Sequence, residues 1–123
     1  MKKRILVVDD EPLLREVLRD FLEVAGFEVS EAENGQVAFE KVCSEAFDCV
    51  ISDVRMPHGS GVELVKNIHS ITSLAKLPLV LMTGYSDVTF EELQKYGVLM
   101  MLGKPFDPEV IVEEVRKIFQ KVA

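Results

Sequence analysis

Five short aliphatic runs, separated by stretches with helical spacing, set the strongest limit on how this 123-residue chain can fold. The runs are Ile5–Val8, Phe27–Val29, Cys49–Ile51, Leu79–Met82 and Val98–Leu102. Each has the length of a strand, and near-continuous apolar runs are typical of parallel strands covered on both faces. The alternation predicts one α/β domain over residues 1–123, with a parallel sheet that right-handed crossovers make doubly wound.

The stretches between the runs carry start and stop signals for five helices. Proline suits the first turn of a helix because its missing N–H is not needed there, and glycine often ends a helix. The predicted helices run from Pro12 to Gly26, from Asn34-Gly35 to about Ser44, onward from Gly61, from about Val88 to Lys95 before Gly97, and onward from Asp107-Pro108-Glu109.

Composition excludes several classes of protein. Hydrophobic residues make up 48% of the chain, charged residues 28%, and the net charge is −7. A surface this acidic repels phosphate backbones, so we expect no direct binding to nucleic acid. No run approaches the roughly 20 apolar residues of a membrane span. Cys43 and Cys49 match no metal pattern and are predicted to be buried, reduced thiols, which indicates a cytoplasmic protein.

Chemically active side chains stand where four of the predicted strands end. Asp9 and Asp10 follow the first strand, Asp53 the third, Thr83 the fourth and Lys104 the fifth. Because doubly wound sheets bind ligands beyond the carboxyl ends of their strands, we expect these groups to share one crevice. Three close carboxylates need a cation, and Mg²⁺ suits oxygen ligands of this kind. Alternatively, the first two acids only stabilise a helix N-terminus.

The same residues could carry out phosphoryl transfer. A carboxylate such as Asp53, at a strand end beside a metal, can attack a phosphoryl donor. Phosphoryl transfer spreads negative charge over the equatorial oxygens, which Lys104 and Thr83 could stabilise. The alternative for each residue alone is ordinary: a turn-capping aspartate, a solvated lysine and a strand-forming threonine.

In sequence the chain resembles the receiver domain of two-component response regulators, over nearly its whole length. The matching segments are Ile5–Pro12, Asp53–Pro57 with Gly61, Met82–Tyr85 and Lys104–Phe106. The single-domain layout is similar to that of chemotaxis regulators. The resemblance implies a flavodoxin-like, three-layer (βα)5 sandwich whose five-stranded parallel sheet has the order 2-1-3-4-5.

The resemblance also implies a role for each acidic residue. Asp53 matches the phospho-acceptor. Asp10 matches the direct acidic ligand of Mg²⁺, and Asp9 its companion. Arg55 matches the position whose backbone carbonyl binds the metal. No organic cofactor is implied.

Four further positions match the switch of the family or depart from it. Thr83 matches the hydroxyl that turns toward the phosphoryl group, and Lys104 matches the lysine that pairs first with the acceptor and then with the phosphate. The bond before Pro105 is usually cis in the family. Met101 stands where the family usually has Tyr or Phe, so we expect looser coupling through several Met101 rotamers.

The implied partner is a sensor histidine kinase or a phosphotransfer protein that donates from phosphohistidine. Such a receiver catalyses only its own phosphorylation and dephosphorylation, and is not an enzyme with outside substrates. Phosphorylation would switch the face made by the fourth helix, fifth strand and fifth helix for partner binding or homodimerisation. Leu99 and Met100 on this strand either fill the core or form an exposed patch.

Two other functions remain open. A receiver-like module could bind partners without phosphorylation, and only Met101 favours that reading. An enzyme of the same fold would need other motifs: a P-loop and a GxGxxG fingerprint are absent, and Arg55 stands where aspartyl phosphatases carry a second Asp. Arg55 and Tyr85 are either loop surface or slow the loss of the phosphoryl group. The start at Met1 resembles a natural beginning, so the chain is either complete or cut at its C-terminal end.

Overall fold

A computed structural model of the protein describes residues 2–84 and 89–120. Within these ranges, five β strands alternate with five α helices. The strands are β1 (Arg4–Val8), β2 (Glu28–Ala32), β3 (Cys49–Asp53), β4 (Leu79–Thr83) and β5 (Val98–Gly103). The helices are α1 (Pro12–Val24), α2 (Gly35–Ser44), α3 (Gly61–His69), α4 (Phe90–Gln94) and α5 (Pro108–Gln120), and a short 3-10 helix covers Thr72–Leu74. None of these helices is long and apolar enough to cross a membrane.

The five strands form one parallel sheet in the order β2-β1-β3-β4-β5, as predicted. The strand order reverses direction between β1 and β3, which is where open α/β sheets leave a crevice for ligands. The register brings the carboxyl ends of the strands level, with Val8 opposite Ser52 and Asp53 opposite Met82. The loops that follow β1, β3, β4 and β5 therefore emerge along one edge.

The core lies in two layers because successive side chains of a strand point to opposite faces of the sheet. In β1, Ile5 and Val7 pack against buried residues of α1 and α5, whereas Leu6 and Val8 pack against α2, α3 and α4. All four side chains are completely buried. The helices on both faces make a three-layer sandwich, and the predicted flavodoxin-like fold class is confirmed.

Side chains cap two of the helices at the starts that the sequence predicted. Asn34 caps α2 by accepting a hydrogen bond from the backbone N–H of Val37. Asp107 accepts from the backbone N–H of Glu109 at 2.9 Å and so caps α5. Caps of this kind satisfy backbone donors that a helix start leaves unpaired.

Three predicted details differ from the structure. β2 begins at Glu28 and extends to Ala32, because an edge strand accepts polar residues that interrupt an apolar pattern. α4 covers only Phe90–Gln94, and Val88 lies outside the described residues. Cys43 is exposed, so the prediction of two buried thiols is wrong for this residue, whereas Cys49 is buried. Cys43 follows the buried Val42 in α2 and is rotated about 100° from it, toward solvent.

Candidate functional site

Asp9 directly follows β1, and its buried carboxylate does not cap the following helix. Its side chain is 1% exposed, and its Oδ1 accepts a hydrogen bond from the backbone N–H of Glu11 at 3.0 Å. The N-cap of α1 is Glu11, and its side chain makes no capping hydrogen bond. Asp10 is exposed at the rim. Helix capping therefore does not explain why Asp9 is buried in this position.

Asp53 is the last residue of β3 and is only 8% exposed. The loop that follows it is tied to the sheet, because the N–H of Val54 donates to the carbonyl of Met82 and the N–H of Gly61 donates to the carbonyl of Val54, each at 2.9 Å. A Cβ atom on Gly61 would collide with the Asp53 carbonyl oxygen. This close approach fixes the start of α3 directly against the end of β3.

The structure brings the three predicted acids together. Asp9, Asp10 and Asp53 each offer a carboxylate oxygen, and these oxygens lie within 4.8 Å of one another. The Nζ atom of Lys104 lies 3.1 Å from Oδ2 of Asp9 and 3.0 Å from Oδ2 of Asp53. Lys104 therefore bridges the two buried carboxylates, while Asp10 stands on the solvent side.

Burial and the ammonium of Lys104 act in opposite directions on the pKa of the Asp53 carboxyl. Burial is the largest influence and raises the pKa of Asp53, and the neighbouring charge of Asp9 raises it further. Lys104 and the backbone N–H of Arg55 lower the Asp53 pKa without cancelling that rise. A carboxylate in this position is under-compensated, so an additional cation would stabilise its charged form.

Lys104 remains a cation in this setting. Burial acts to lower the pKa of its ammonium group, but hydrogen bonds and charges from Asp53 and Asp9 together raise it. The backbone also holds this lysine, because the Lys104 N–H donates to the carbonyl of Thr83 at 2.8 Å. The bond from Lys104 to Pro105 is cis.

Thr83 ends β4 next to this cluster. Its Oγ1 atom is buried and has no hydrogen-bond partner within the described ranges. A buried hydroxyl without a partner costs free energy, on the order of 1–3 kcal/mol. A group that arrived beside Asp53 and accepted a hydrogen bond from Thr83 would recover that cost.

These residues fit a hard divalent cation and a phosphoryl group. Three clustered carboxylates are the oxygen donors that Mg²⁺ takes, while Lys104 and the Thr83 hydroxyl can both donate to phosphoryl oxygens. Arg55 lies two residues beyond Asp53 with an exposed side chain. Its assignment to the metal through a backbone carbonyl stays a prediction.

Other predicted positions have separate surroundings. Met101 is half-buried and packs against the core layer beneath α2, α3 and α4. Met100 packs partly against the opposite layer, and Leu99 is 50% exposed, so one residue contributes to the core and the other to the surface. Tyr85 lies outside the described residues. The looser coupling predicted for Met101 is untested.

The sequence analysis missed Arg15, which contacts the site, and its partner Glu31. Arg15 donates from Nη1 to the carbonyl oxygen of Asp9 at 2.8 Å and from Nε to Oε1 of Glu31 at 3.2 Å. The helical spacing of Arg15 and Arg19 in α1 was visible in the sequence. Their shared partner on β2 was not, because that pairing depends on how α1 packs beside the sheet.

Comparison with known proteins identifies the family. The family model of the response regulator receiver domain matches residues 5–116. The chemotaxis protein CheY of Thermotoga maritima is 36% identical over 119 residues, covering 96% of this chain and 98% of that protein. The C4-dicarboxylate transport regulator DctD of Pseudomonas aeruginosa is 32% identical over 118 residues, covering 95% of this chain. This chain spans only 25% of the length of DctD.

The fold is also similar to solved structures of response regulators. The response regulator TrrA of Thermotoga maritima, solved in complex with Mg²⁺ and BeF, superimposes with a TM-score of 0.82 at 37% identity, covering 94% of this chain and 98% of that one. The acidic crevice at the carboxyl ends of a doubly wound sheet, together with these matches, defines the class. The chain belongs to the response regulator receiver family of two-component signal transduction.

Proposed function

We propose that this receiver is a phosphorylation-controlled switch in which Asp53 accepts a phosphoryl group from phosphohistidine. The observation that carries the proposal is the bridging of the buried Asp9 and Asp53 carboxylates by Lys104, at 3.1 and 3.0 Å. A structural ion pair would not need two buried acids, an adjacent third acid and a buried hydroxyl that has no partner among the described residues, all at the same strand ends. The three acids suit a divalent cation, whereas Lys104 and the Thr83 hydroxyl can donate to a group that carries negative charge.

The chain's own residues account for the transfer step. One carboxylate oxygen of Asp53 attacks the phosphorus atom, a P–O bond forms, the P–N bond to the donor imidazole breaks, and the imidazole nitrogen keeps the electron pair. Lys104 stabilises the charge that develops on the phosphoryl oxygens, and the Thr83 hydroxyl donates to another of them. Because the aligned strand ends hold these groups, little reorganisation is needed during transfer.

A divalent cation completes the charge balance of this site. We propose that Mg²⁺ binds to Asp9, Asp10 and Asp53 and to the carbonyl of Arg55, where it would neutralise charge on the acceptor and on the phosphoryl group. The chain would catalyse only its own phosphorylation and dephosphorylation. A phosphohistidine donor and two free cysteines are consistent with a cytoplasmic location.

The surface of α1 suits the donor. Leu13, Val17, Phe21 and Val24 are 76%, 40%, 40% and 90% exposed and follow one another at helical spacing. This stripe begins next to the loop that carries Asp9 and Asp10. An apolar stripe of this kind usually marks a binding surface, and we propose that a histidine kinase or phosphotransfer protein docks there.

We further propose a homodimer through α4, β5 and α5. Leu99 is exposed on β5 and lines a pocket together with Glu114 and Lys117 of α5. These two residues form an ion pair with 3.2 Å between Nζ and Oε1. An apolar residue flanked by both signs of charge is self-complementary across a two-fold axis. A second copy of the chain is therefore the occupant that this face favours.

The acceptor is tested by intact-protein mass spectrometry after incubation with acetyl phosphate and Mg²⁺. We expect a mass gain of one phosphoryl group in the wild-type protein and in Asp20→Asn, which removes an exposed acid of α1. Asp53→Asn, and wild-type protein with a chelator, should show no gain. Equal labelling of Asp53→Asn would place the acceptor elsewhere. If the wild-type protein takes no phosphoryl group from acetyl phosphate or from a panel of histidine kinases, the proposal fails.

A further inference from the structure

Arg15 links the loop that carries the acids to the edge of the sheet. Its guanidinium donates to the carbonyl oxygen of Asp9 at 2.8 Å and to Oε1 of Glu31 at 3.2 Å. The side chain is 18% exposed. Because a guanidinium holds its donors in one rigid plane, these two hydrogen bonds fix the position of Asp9 relative to Glu31.

Glu31 is itself held firmly. Its Oε2 accepts from Nη1 of Arg19 at 2.7 Å, and its backbone carbonyl accepts from Nζ of Lys41 at 2.8 Å. In the sheet it lies opposite Val7 of β1. Glu31 therefore orients Arg15 from a position that the sheet and two further cations define.

The contacted carbonyl belongs to the peptide unit that joins Asp9 to Asp10. The N–H of Asp9 donates to the carbonyl of Ala32 at 3.2 Å, so both polar backbone atoms of Asp9 are occupied. A planar peptide whose carbonyl direction is fixed also determines where the next Cα atom lies. Arg15 thus sets the direction in which Asp10 leaves the strand, although it touches neither metal-site carboxylate in the contacts described.

We propose that Arg15, oriented by Glu31, is a positioning residue that preorganises Asp9 and Asp10 for a divalent cation. The inference rests on the proposed function, since it assumes that these acids hold a metal. Residues that orient metal ligands typically contribute about 10–100-fold to metal affinity. Charge alone predicts the opposite sign: a guanidinium beside an acidic site repels a divalent cation, so its removal would strengthen binding.

The chain offers a matched control in Arg19. Arg15 and Arg19 lie on the same helix and bind the same carboxylate of Glu31, but the contact with the Asp9 carbonyl belongs to Arg15. Removing either arginine takes away one positive charge. Lys at position 15 would keep the charge but could not form both hydrogen bonds in the guanidinium geometry.

The experiment measures Mn²⁺ binding by electron paramagnetic resonance, without any phosphoryl donor, and Mg²⁺ binding by calorimetry. We expect Arg15→Ala to raise the Kd about 10-fold, Arg15→Lys to raise it clearly, and Arg19→Ala to leave it within about twofold. Circular dichroism establishes that each variant is folded. In acetyl phosphate labelling, Arg15→Ala should need more Mg²⁺ for half-saturation, yet approach the wild-type rate at saturation.

The possible results separate the inference from the function beneath it. If the wild-type protein binds the metal and Arg15→Ala binds it equally well or more tightly, positioning by Arg15 is overturned and the proposed function stands. Equal weakening by Arg15→Ala and Arg19→Ala would assign the effect to Glu31, the partner that both arginines share, and would also overturn it. If Arg15→Ala does not fold, Arg15→Lys decides by the same criterion. A wild-type protein that binds neither ion overturns both the metal site and the inference.

Discussion

The ammonium of Lys104 lies 3.0 Å from Oδ2 of Asp53, although the two residues are 51 positions apart in the chain. Asp53 ends β3 and Lys104 follows β5, so this contact spans the end of the intervening β4. The lysine side chain can reach Asp53 because the carboxyl ends of these three strands lie level at one edge of the sheet. The lysine supplies the positive charge that two buried carboxylates require, in the region where a divalent cation would also act.

Lys104→Met should therefore destabilise the protein in the absence of divalent cations. The change leaves Asp9 and Asp53 buried without their shared partner, and we expect a loss of about 1–3 kcal/mol in the free energy of unfolding at neutral pH. Added Mg²⁺ should restore much of this loss. Urea denaturation with and without Mg²⁺ measures both effects. The matched control is Lys117→Met, which breaks a more exposed pair with Glu114 and should cost under about 1 kcal/mol.

The contribution of Lys104 also has a defined pH dependence. Because its pKa is raised in the folded protein, the stabilisation is present below the ordinary lysine pKa and is lost as pH rises through the raised value. A Lys104→Met protein as stable as the wild type would show that the ammonium is not needed to compensate the acids. A destabilised Lys104→Met protein that Mg²⁺ does not rescue would show that a divalent cation cannot replace the ammonium.

Thr83→Val should separate the two states of the switch. The buried Oγ1 has no described partner, so an isosteric apolar side chain should stabilise the unphosphorylated protein by up to about 1 kcal/mol. Valine cannot donate to a phosphoryl oxygen, so the stabilisation gained on phosphorylation should fall. Thermal unfolding with and without acetyl phosphate and Mg²⁺ measures both states, and Thr83→Ser, which keeps the hydroxyl, is the control. Equal phosphorylation-linked shifts in Val and Ser variants would exclude this role for Thr83.

Much of the site could be predicted from sequence because parallel strands place their carboxyl ends along one edge. The apolar runs locate the strand ends, and the residues there, Asp9, Asp53 and Lys104, meet in the structure as expected. The order of the strands came from the family resemblance, and the structure confirms it. Periodicity and short motifs therefore suffice for groups whose positions depend on strand ends alone.

What could not be predicted depends on packing between elements. The pairing of Arg15 with Glu31 requires the position of α1 beside the edge strand β2, which no local pattern specifies. The exposure of Leu99 comes from an irregularity in β5, where Leu79 and Val80 of β4 pair with Val98 and Met100 and skip Leu99. The exposure of Cys43, by contrast, could have been predicted, because the helical spacing of α2 places Cys43 on the side away from its buried residues.

The two cysteines should differ sharply in reactivity. Cys43 is exposed, whereas Cys49 is completely buried, and burial raises the pKa of the Cys49 thiol to about 12. Thiolates, not thiols, react with alkylating reagents. We expect one label per chain in the native protein and two after unfolding in urea, counted by mass spectrometry. Cys43→Ser should abolish native labelling. Rapid native labelling of Cys49 would contradict its burial.

The raised pKa of Cys49 also predicts a loss of stability at alkaline pH. The folded thiol keeps its proton between the ordinary value of 9.0 and about 12, while the unfolded chain loses it. The unfolded state then binds fewer protons, so stability falls as pH rises, by up to about 1.4 kcal/mol per pH unit from this group. Cys49→Ala should flatten that part of the pH profile in urea denaturation. An unchanged slope above pH 9 would assign the alkaline loss to other groups.

Gly61→Ala should destabilise the protein and disturb Asp53, the proposed acceptor. The added Cβ would collide with the carbonyl oxygen of Asp53, and forced shifts in a packed interior cost about 1–3 kcal/mol, occasionally more. Because the contact lies on the backbone of Asp53, phosphorylation by acetyl phosphate should slow as well. Gly103→Ala, where a Cβ would meet nothing within 4 Å, is the control for both measurements. Equal stability of the two variants would mean that the start of α3 can move freely.

Leu99→Glu should prevent the proposed homodimer without unfolding the chain. Leu99 is the residue that the pairing of β4 with β5 skips, and it is half exposed on an edge strand. Replacing Leu99 with glutamate should therefore cost the monomer little stability, whereas two glutamates near a two-fold axis would repel each other.

Analytical ultracentrifugation over a range of concentrations, with acetyl phosphate and Mg²⁺, should show a dimer for the wild type and a monomer for Leu99→Glu. Leu13→Glu, which places the same charge on an exposed position of α1, should still dimerise. If the phosphorylated wild-type protein stays monomeric, the homodimer is excluded and this face would bind a different protein. If Leu99→Glu still dimerises, the dimer interface lies elsewhere on the chain.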